Sequence, residues 1–396
     1  MSTAAATGVR RSTVLSLIGV MLVALNLRPA LTSVSPVLSS IAESLSLSGT
    51  GKSVLTTLPV LFLGLSAPIV PWAARRLGVD RTVLAAVAVL VVALLVRPYI
   101  GTVGLFAGTI VAGCCIGVMG VLLPGIVKRD FPDAASLLTG VYTAVLCIGA
   151  SAAAGITEPL RVALGDAWQP ALAVWLIPAV VAAIVWWSQL GAKHVPQARS
   201  RPAGALHRDA LAWQVTLFMG LQSSLAYTVF GWLPSILQDR GIAAVDAGLA
   251  LSVSIMIQIA TAIAAPWVAS HMRDQRLMIF LAVTFTLTGI GGCIFAPIGG
   301  MWLWVVVLGL GQGGTFSMAL TLLAVRARDA DTAARLSGMA QGVGYTLAAF
   351  GPLVAGMLHD TFGNWQVAGV YLGVIGAVAL GVGLAAGRDR FVLDRD

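Results

Sequence analysis

Pro71-Trp72-Ala73-Ala74-Arg75-Arg76-Leu77-Gly78-Val79-Asp80-Arg81 has a counterpart later in the chain. Pro71-Trp72-Ala73-Ala74, followed by Arg81, matches Pro266-Trp267-Val268-Ala269, followed by Arg276, at an offset of 195 residues. On the C-terminal side of that pair, Asp133-x-Ala135-x-x-Leu138-x-Gly140 matches Asp331-x-Ala333-x-x-Leu336-x-Gly338 at 198, and Trp168-Gln169 matches Trp365-Gln366 at 197. Three matches in one order and nearly one register mark an internal duplication.

Composition says what was duplicated. Of 396 residues 58% are hydrophobic and only 10% charged, with a mean hydropathy of +0.93. Soluble domains carry about 25% charged residues, and the apolar runs here approach the ~20 residues that cross a bilayer as a helix. The alternating ~10-residue segments of a membrane β-barrel are not visible. The pattern predicts helices near 13–37, 52–74, 82–98, 102–126, 135–157, 168–188, 212–237, 247–269, 277–296, 301–325, 334–358 and 365–386. The fold class is therefore an all-α membrane protein of twelve transmembrane helices in two pseudo-symmetric six-helix bundles, residues 1–190 and 212–396, joined by a linker at 191–211. Equivalent elements lie six spans apart, an even number, so the halves insert with the same orientation. Parallel six-helix repeats resemble the layout of the major facilitator superfamily.

The formal charge of +8 does not point to nucleic acid, because of where the charges fall. With the N-terminus inside, 19 of the 24 basic residues lie in cytoplasmic segments, leaving Lys52, Arg97, Arg161 and Arg240 outside and Arg28 within a span. This is the positive-inside pattern, with both termini cytoplasmic in a multi-pass protein of the bacterial inner membrane. Arg10-Arg11 precedes an apolar run that continues into Asn26–Pro36, which reads as an uncleaved first helix. The linker carries Lys193, Pro196, Arg199, Arg201, Pro202, Gly204 and Arg208 and reads as flexible and topological. Cys114, Cys115, Cys147 and Cys293 fall inside spans as packing residues, and the four histidines are scattered. No cofactor or metal is expected.

Arg28 stands inside the first apolar segment. A charge at that depth costs roughly 2.5–3.5 kcal/mol or more and is normally a pathway residue. It lies roughly 22 Å along the first helix at 1.5 Å per residue. Thr32 and Ser35 follow at i+4 and i+7, which predicts one polar stripe. Asn26, about 200° round the helix, faces elsewhere. Pro29 removes an amide and should bend the helix there. Only Glu158 among the acids falls near a span, at the outer end of the fifth, so no carboxylate at the same depth neutralises Arg28. That favours an anionic or dipolar small-molecule substrate, with coupling through exchange or a proton carried on a weakly acidic solute.

The run Asn26-Leu27-Arg28-Pro29-Ala30-Leu31-Thr32-Ser33-Val34-Ser35-Pro36 resembles the signature of the cyanate/2-nitroimidazole transporter family (CynX/NimT-type) within that superfamily. The resemblance implies secondary transport of a small molecule. The 71–81 loop also looks like a degraded form of the superfamily's helix 2–3 motif: Arg76 and Gly78 fit, while Pro71 and Arg75 replace the usual glycine and aspartate. Arg76, Gly78, Arg81 and the repeat's Arg276 are the candidate gating residues. Gly344, Gly351-Pro352 and Gly356 are similar to a pattern of bending helices, and serve close packing equally well.

The candidate substrate-binding set is Arg28, Asn26, Thr32, Tyr142, Gln222, Tyr227, Gln258, Gln312, Gln341 and Tyr345. Gln341 and Tyr345 share a helix face. Gly113, Gly117 and Gly120, and Gly309, Gly311, Gly313 and Gly314, thin two repeat-related helices for packing or gating. The leading expectation is a monomeric secondary transporter of a cyanate-like or nitroimidazole-like solute working by alternating access; a drug or toxin exporter of the same fold is the alternative. An enzyme would need a nucleophile, acid/base pair or metal set within the spans, and no HExxH, GxSxG or paired intramembrane carboxylates occur.

Overall fold

A computed structural model describes residues 2–190 and 206–394, with no strand among them. Most of the predicted linker lies outside the described residues. Its last two positions, Ala210 and Leu211, already belong to a helix, capped by the Asp209 carboxylate accepting from the Ala212 amide at 2.9 Å.

Among the described residues, seventeen α-helices form twelve helical passes. The first pass is broken into α1 (Ser2–Leu25), α2 (Pro29–Thr32), a 3-10 turn (Ser35–Val37) and α3 (Leu38–Ser44). The second bends by 59° between α4 (Gly49–Leu65) and α5 (Ile69–Leu77). Then come α6 (Val79–Tyr99), α7 (Gly101–Asp130), α8 (Ala135–Ala163), and α9 (Trp168–Ala173) with α10 (Leu176–Trp187). The second half contains α11 (Ala210–Asp239), α12 (Ala244–Ser270), α13 (Arg276–Phe295), α14 (Met301–Val325), α15 (Ala330–Ala348) with α16 (Phe350–Phe362), and α17 (Trp365–Ala386).

Nine of these passes are long and apolar enough to cross a membrane on their own, and the bent α4–α5 pair makes a tenth. The other two, α11 and α15–α16, are more polar for a structural reason. In α11, Gln222, Ser223, Ser224 and Thr228 are all buried, so its polar groups meet protein, as intramembrane polar groups must.

One end of the bundle is the start of α1 and the finish of α17. There the Ser16 hydroxyl donates to Asp130 at the end of α7 (3.0 Å), and Gln189 donates to the Leu15 carbonyl (2.9 Å). This end is called basal and the opposite end distal. On the distal side the two halves interlock. The Ser151 hydroxyl on α8 lies 2.8 Å from that of Ser252 on α12, and Ser39 bonds Gln238 at 3.4 Å. Gly356 leaves space that the Ser53 hydroxyl occupies, 2.2 Å from where a Cβ would stand. Small residues serve here because lipid tails supply no hydrophobic drive for association, so helices bind through close packing and hydrogen bonds.

Candidate functional site

The site begins at a break in the first pass. The α-helical pattern stops after Leu25, and the amides of Asn26 and Leu27 bond back to Val23 and Ala24 over three residues. Arg28 takes a non-helical backbone (φ −128°, ψ −24°), and Pro29 occupies the first position of α2, where its missing amide costs nothing. The predicted bend is thus a full interruption, and the polar stripe does not form.

Three tethers hold the interrupted segment. The Asn26 amide group donates to the carbonyls of Leu22 (2.8 Å) and Pro178 (3.0 Å), pinning the segment to α10. The Thr32 hydroxyl donates to the Ala150 carbonyl of α8 at 2.9 Å. From α6, one Arg97 nitrogen donates to the Ala30 carbonyl at 2.7 Å and the other approaches the Ser33 hydroxyl at 3.4 Å. Opposite the break, a Cβ on Gly149 would stand 2.3 Å from the Leu25 carbonyl oxygen, so only glycine lets α8 come this close.

Arg28 is the side chain this arrangement leaves unengaged. Its guanidinium sits over the rings of Phe230 (5.0 Å) and Phe316 (5.3 Å), both across in the second half. Those are cation–π distances. The Arg28 guanidinium makes no hydrogen bond or ion pair with a described residue. It forms part of the wall of a cavity that is partly open to solvent. α4 brings Leu63 to that wall, α7 Gly120 and Pro124, α8 Tyr142 and Thr143, α11 Tyr227, α14 Phe316 and Leu320, and α15 Gln341 and Tyr345. Most of these lie on the basal side of Arg28. No carboxylate lines the cavity among the described residues. Tyr227 meets Tyr345 edge-on at 6.1 Å, joining α11 to α15, and Gln341 is oriented by a 2.8 Å bond to Ser337.

The structure divides the sequence-derived candidates. Arg28, Tyr142, Tyr227, Gln341 and Tyr345 converge on the cavity. Asn26 and Thr32 do not, since both are spent on the tethers just described. Gln222 folds back on its own helix, toward Met219 (3.2 Å) and Ser223 (2.7 Å). Gln258 and Gln312 bond each other at 3.1 Å, joining α12 to α14 away from the cavity. Phe230 and Phe316 were missed, because an aromatic in an apolar span reads as packing. Arg97, counted on the outer side, stands in the last turn of α6 and is fully buried.

Glu158 is not a neighbour of Arg28. Both its oxygens are taken by Arg161 at 2.9 Å, and Arg161 also reaches Asp166 at 3.0 Å.

Among the gating candidates, Gly78 ends α5 with φ +83°, a conformation that favours glycine. Arg76 stacks on Trp72 of its own helix at 4.6 Å, and Arg276 pairs with Asp274 at 3.5 Å. Arg81 is exposed, and its side chain makes no polar contact with a described residue. The loop's ion pairing is made instead by Asp80, which receives the Arg129 fork at 2.8 and 3.0 Å, while Arg129 also pairs with Asp130 at 2.7 Å. In the second half Gln275 bonds Arg326, which also donates to the Ala386 carbonyl at 3.0 Å. Burial lowers the Arg326 pKa from its ordinary value. Gln275 and Arg326 follow Asp80 and Arg129 by 195 and 197 residues, so the offsets already contained this contact.

Comparison with known proteins fits this geometry. The family model described as Major Facilitator Superfamily matches residues 17–349. The 2-nitroimidazole transporter of Escherichia coli is 37% identical over 94% of this chain and 95% of its own length. The uncharacterized transporter YycB of Bacillus subtilis is 34% identical, over 96% and 94%. The cyanate transport protein CynX of E. coli is 30% identical, over 88% and 91%. In fold, the chain superposes on a bacterial homologue of the human lysosomal transporter Spinster, in an inward-facing and occupied conformation, with a TM-score of 0.75 at 12% identity, over 96% and 98% of the two chains. The nucleoside transporter NupG gives 0.73 at 12%, over 94% and 99%.

Proposed function

The chain belongs to the major facilitator superfamily, and within it to the cyanate/2-nitroimidazole transporter family; from that premise we propose that it carries a small anionic or dipolar solute across the bacterial inner membrane by alternating access, with Arg28 as the substrate-binding charge. The observation that carries this reading is a guanidinium at a cavity wall with its donors unengaged and, among the described residues, no carboxylate lining the same cavity. Such a group gains most from an electron-rich ligand, through charge-assisted hydrogen bonds to oxygen or nitrogen acceptors.

The cavity's walls refine the class. Tyrosine and phenylalanine faces suit a flat conjugated ring. A nitro-substituted heteroaromatic satisfies both the cation and the aromatic wall. The E. coli relatives named for 2-nitroimidazole and cyanate agree with an electron-rich cargo.

The positive-inside bias supports reading the basal end as cytoplasmic, and the cavity reaching that way as the inward-facing state. With Glu158 held by Arg161, the substrate itself is the best candidate to bring a coupled proton. The apolar, aromatic character of most of the lining also favours a second reading, export of toxic aromatic compounds by the same site. Uptake and efflux of labelled 2-nitroimidazole and cyanate in proteoliposomes test both. Arg28→Ala should abolish transport while the protein still inserts and elutes as wild type. Undiminished transport by that variant would refute the site.

A further inference from the structure

We propose that Arg97 is a positioning residue of the transport site: it fixes the interrupted segment Asn26–Val34 and thereby the place of the Arg28 guanidinium. The proposal rests on the reading of Arg28 above. Arg97 sits in the last turn of α6 and is completely buried, yet no carboxylate among the described residues pairs with it, and it is not part of the cavity wall. A buried, uncompensated charge is expensive, so a position that serves only packing would favour a neutral residue.

The bonding pattern identifies what the charge accomplishes. In an unbroken helix the Ala30 carbonyl would accept from the amide of Val34. That bond is absent here, because the chain leaves α2 after Thr32 and restarts as a 3-10 turn at Ser35. Arg97 supplies the missing donor at 2.7 Å and extends its second nitrogen toward Ser33 at 3.4 Å. A planar fork spans two points three residues apart, which a neutral amide or hydroxyl on α6 would not do. Closeness to α7 supports the same placement: a Cβ on Gly108 would come within 2.8 Å of the Arg97 Cβ, so Arg97 has little room to move. Arg28 and Arg97 thus flank one turn of chain, the first unengaged toward the cavity and the second anchored behind it.

The test uses the full chain with Cys114, Cys115, Cys147 and Cys293 replaced by serine and one reporter, Leu31→Cys, on the cavity wall. Two readings are taken in proteoliposomes: the N-ethylmaleimide labelling rate at position 31, and KM and maximal rate for 2-nitroimidazole uptake. Arg97→Met should change the labelling rate by more than about threefold and raise KM by roughly tenfold or more, with a smaller effect on maximal rate. Arg97→Lys keeps the donor to Ala30 and should restore both readings most of the way. Ser33→Ala should cause a smaller shift in the same direction, which keeps the test open if Arg97→Met fails to fold. Wild-type labelling and KM in Arg97→Met, or in Ser33→Ala when Arg97→Met does not fold, would overturn the proposal. Arg28→Ala separates the two claims: normal uptake there defeats the substrate site, while the labelling comparison still judges Arg97.

Discussion

Arg28 and Arg97 show how two identical side chains, close in the fold, acquire different work from what surrounds them. Arg97 has a carbonyl at 2.7 Å and no exposure; Arg28 has two aromatic faces at 5.0 and 5.3 Å and a cavity in front of it. A planar guanidinium can stack between rings and still present its edge to a ligand, whereas an ammonium keeps only the charge. Arg28→Lys is therefore expected to transport, but with KM for 2-nitroimidazole raised about tenfold, between wild type and the inactive alanine variant. Arg28 was legible in the sequence because a charge in an apolar run is conspicuous. Phe230 and Phe316 were not, since nothing local separates a phenylalanine facing an arginine from one facing a neighbouring helix. The burial of Arg97 was not legible, because a position near the end of a span does not say whether the side chain meets protein or solvent.

At the scale of elements, the break between α1 and α2 is the feature on which the site depends. Pro29 signalled it, but its extent was hidden. The stripe expected for Arg28, Thr32 and Ser35 assumed helical phase through a segment that leaves it twice. What stabilises the interruption comes from elsewhere in the chain: Pro178, Ala150, Arg97 and the missing side chain of Gly149. Gly149→Val tests this directly, because the new side chain meets the backbone at Leu25 rather than a movable group. Overpacking of that kind costs about 1–3 kcal/mol. It should appear as a lower thermal midpoint together with weakened 2-nitroimidazole uptake, whereas the same change at Gly140, with open space around it, should leave both near wild type. The polar helices α11 and α15 follow the same logic, for their serines and glutamines were readable as intramembrane polar groups although their individual partners were not.

For the whole molecule, the duplication was the most legible property, since a repeat at offsets of 195 to 198 is read from sequence without any structure. It also carries contacts: Trp168 donates to Ser44 and Trp365 to Asp239, each at 2.7 Å, and both pairs obey the same offsets. The seam between the halves was not legible, because small residues that meet across it look like those that pack within one half. Alternating access requires that seam to part on the distal side. Ser151→Cys with Ser252→Cys, placed where the two hydroxyls stand 2.8 Å apart, should form a disulfide that stops transport and releases it on reduction. Continued transport by the oxidised pair would mean that the distal halves stay together throughout the cycle. The most direct measurement on the central claim is ligand-induced thermal stabilisation of purified wild type and Arg28→Ala by 2-nitroimidazole and cyanate. The cavity predicts a concentration-dependent rise in melting temperature for wild type that the alanine variant loses; an equal rise in both would place the binding charge somewhere other than Arg28.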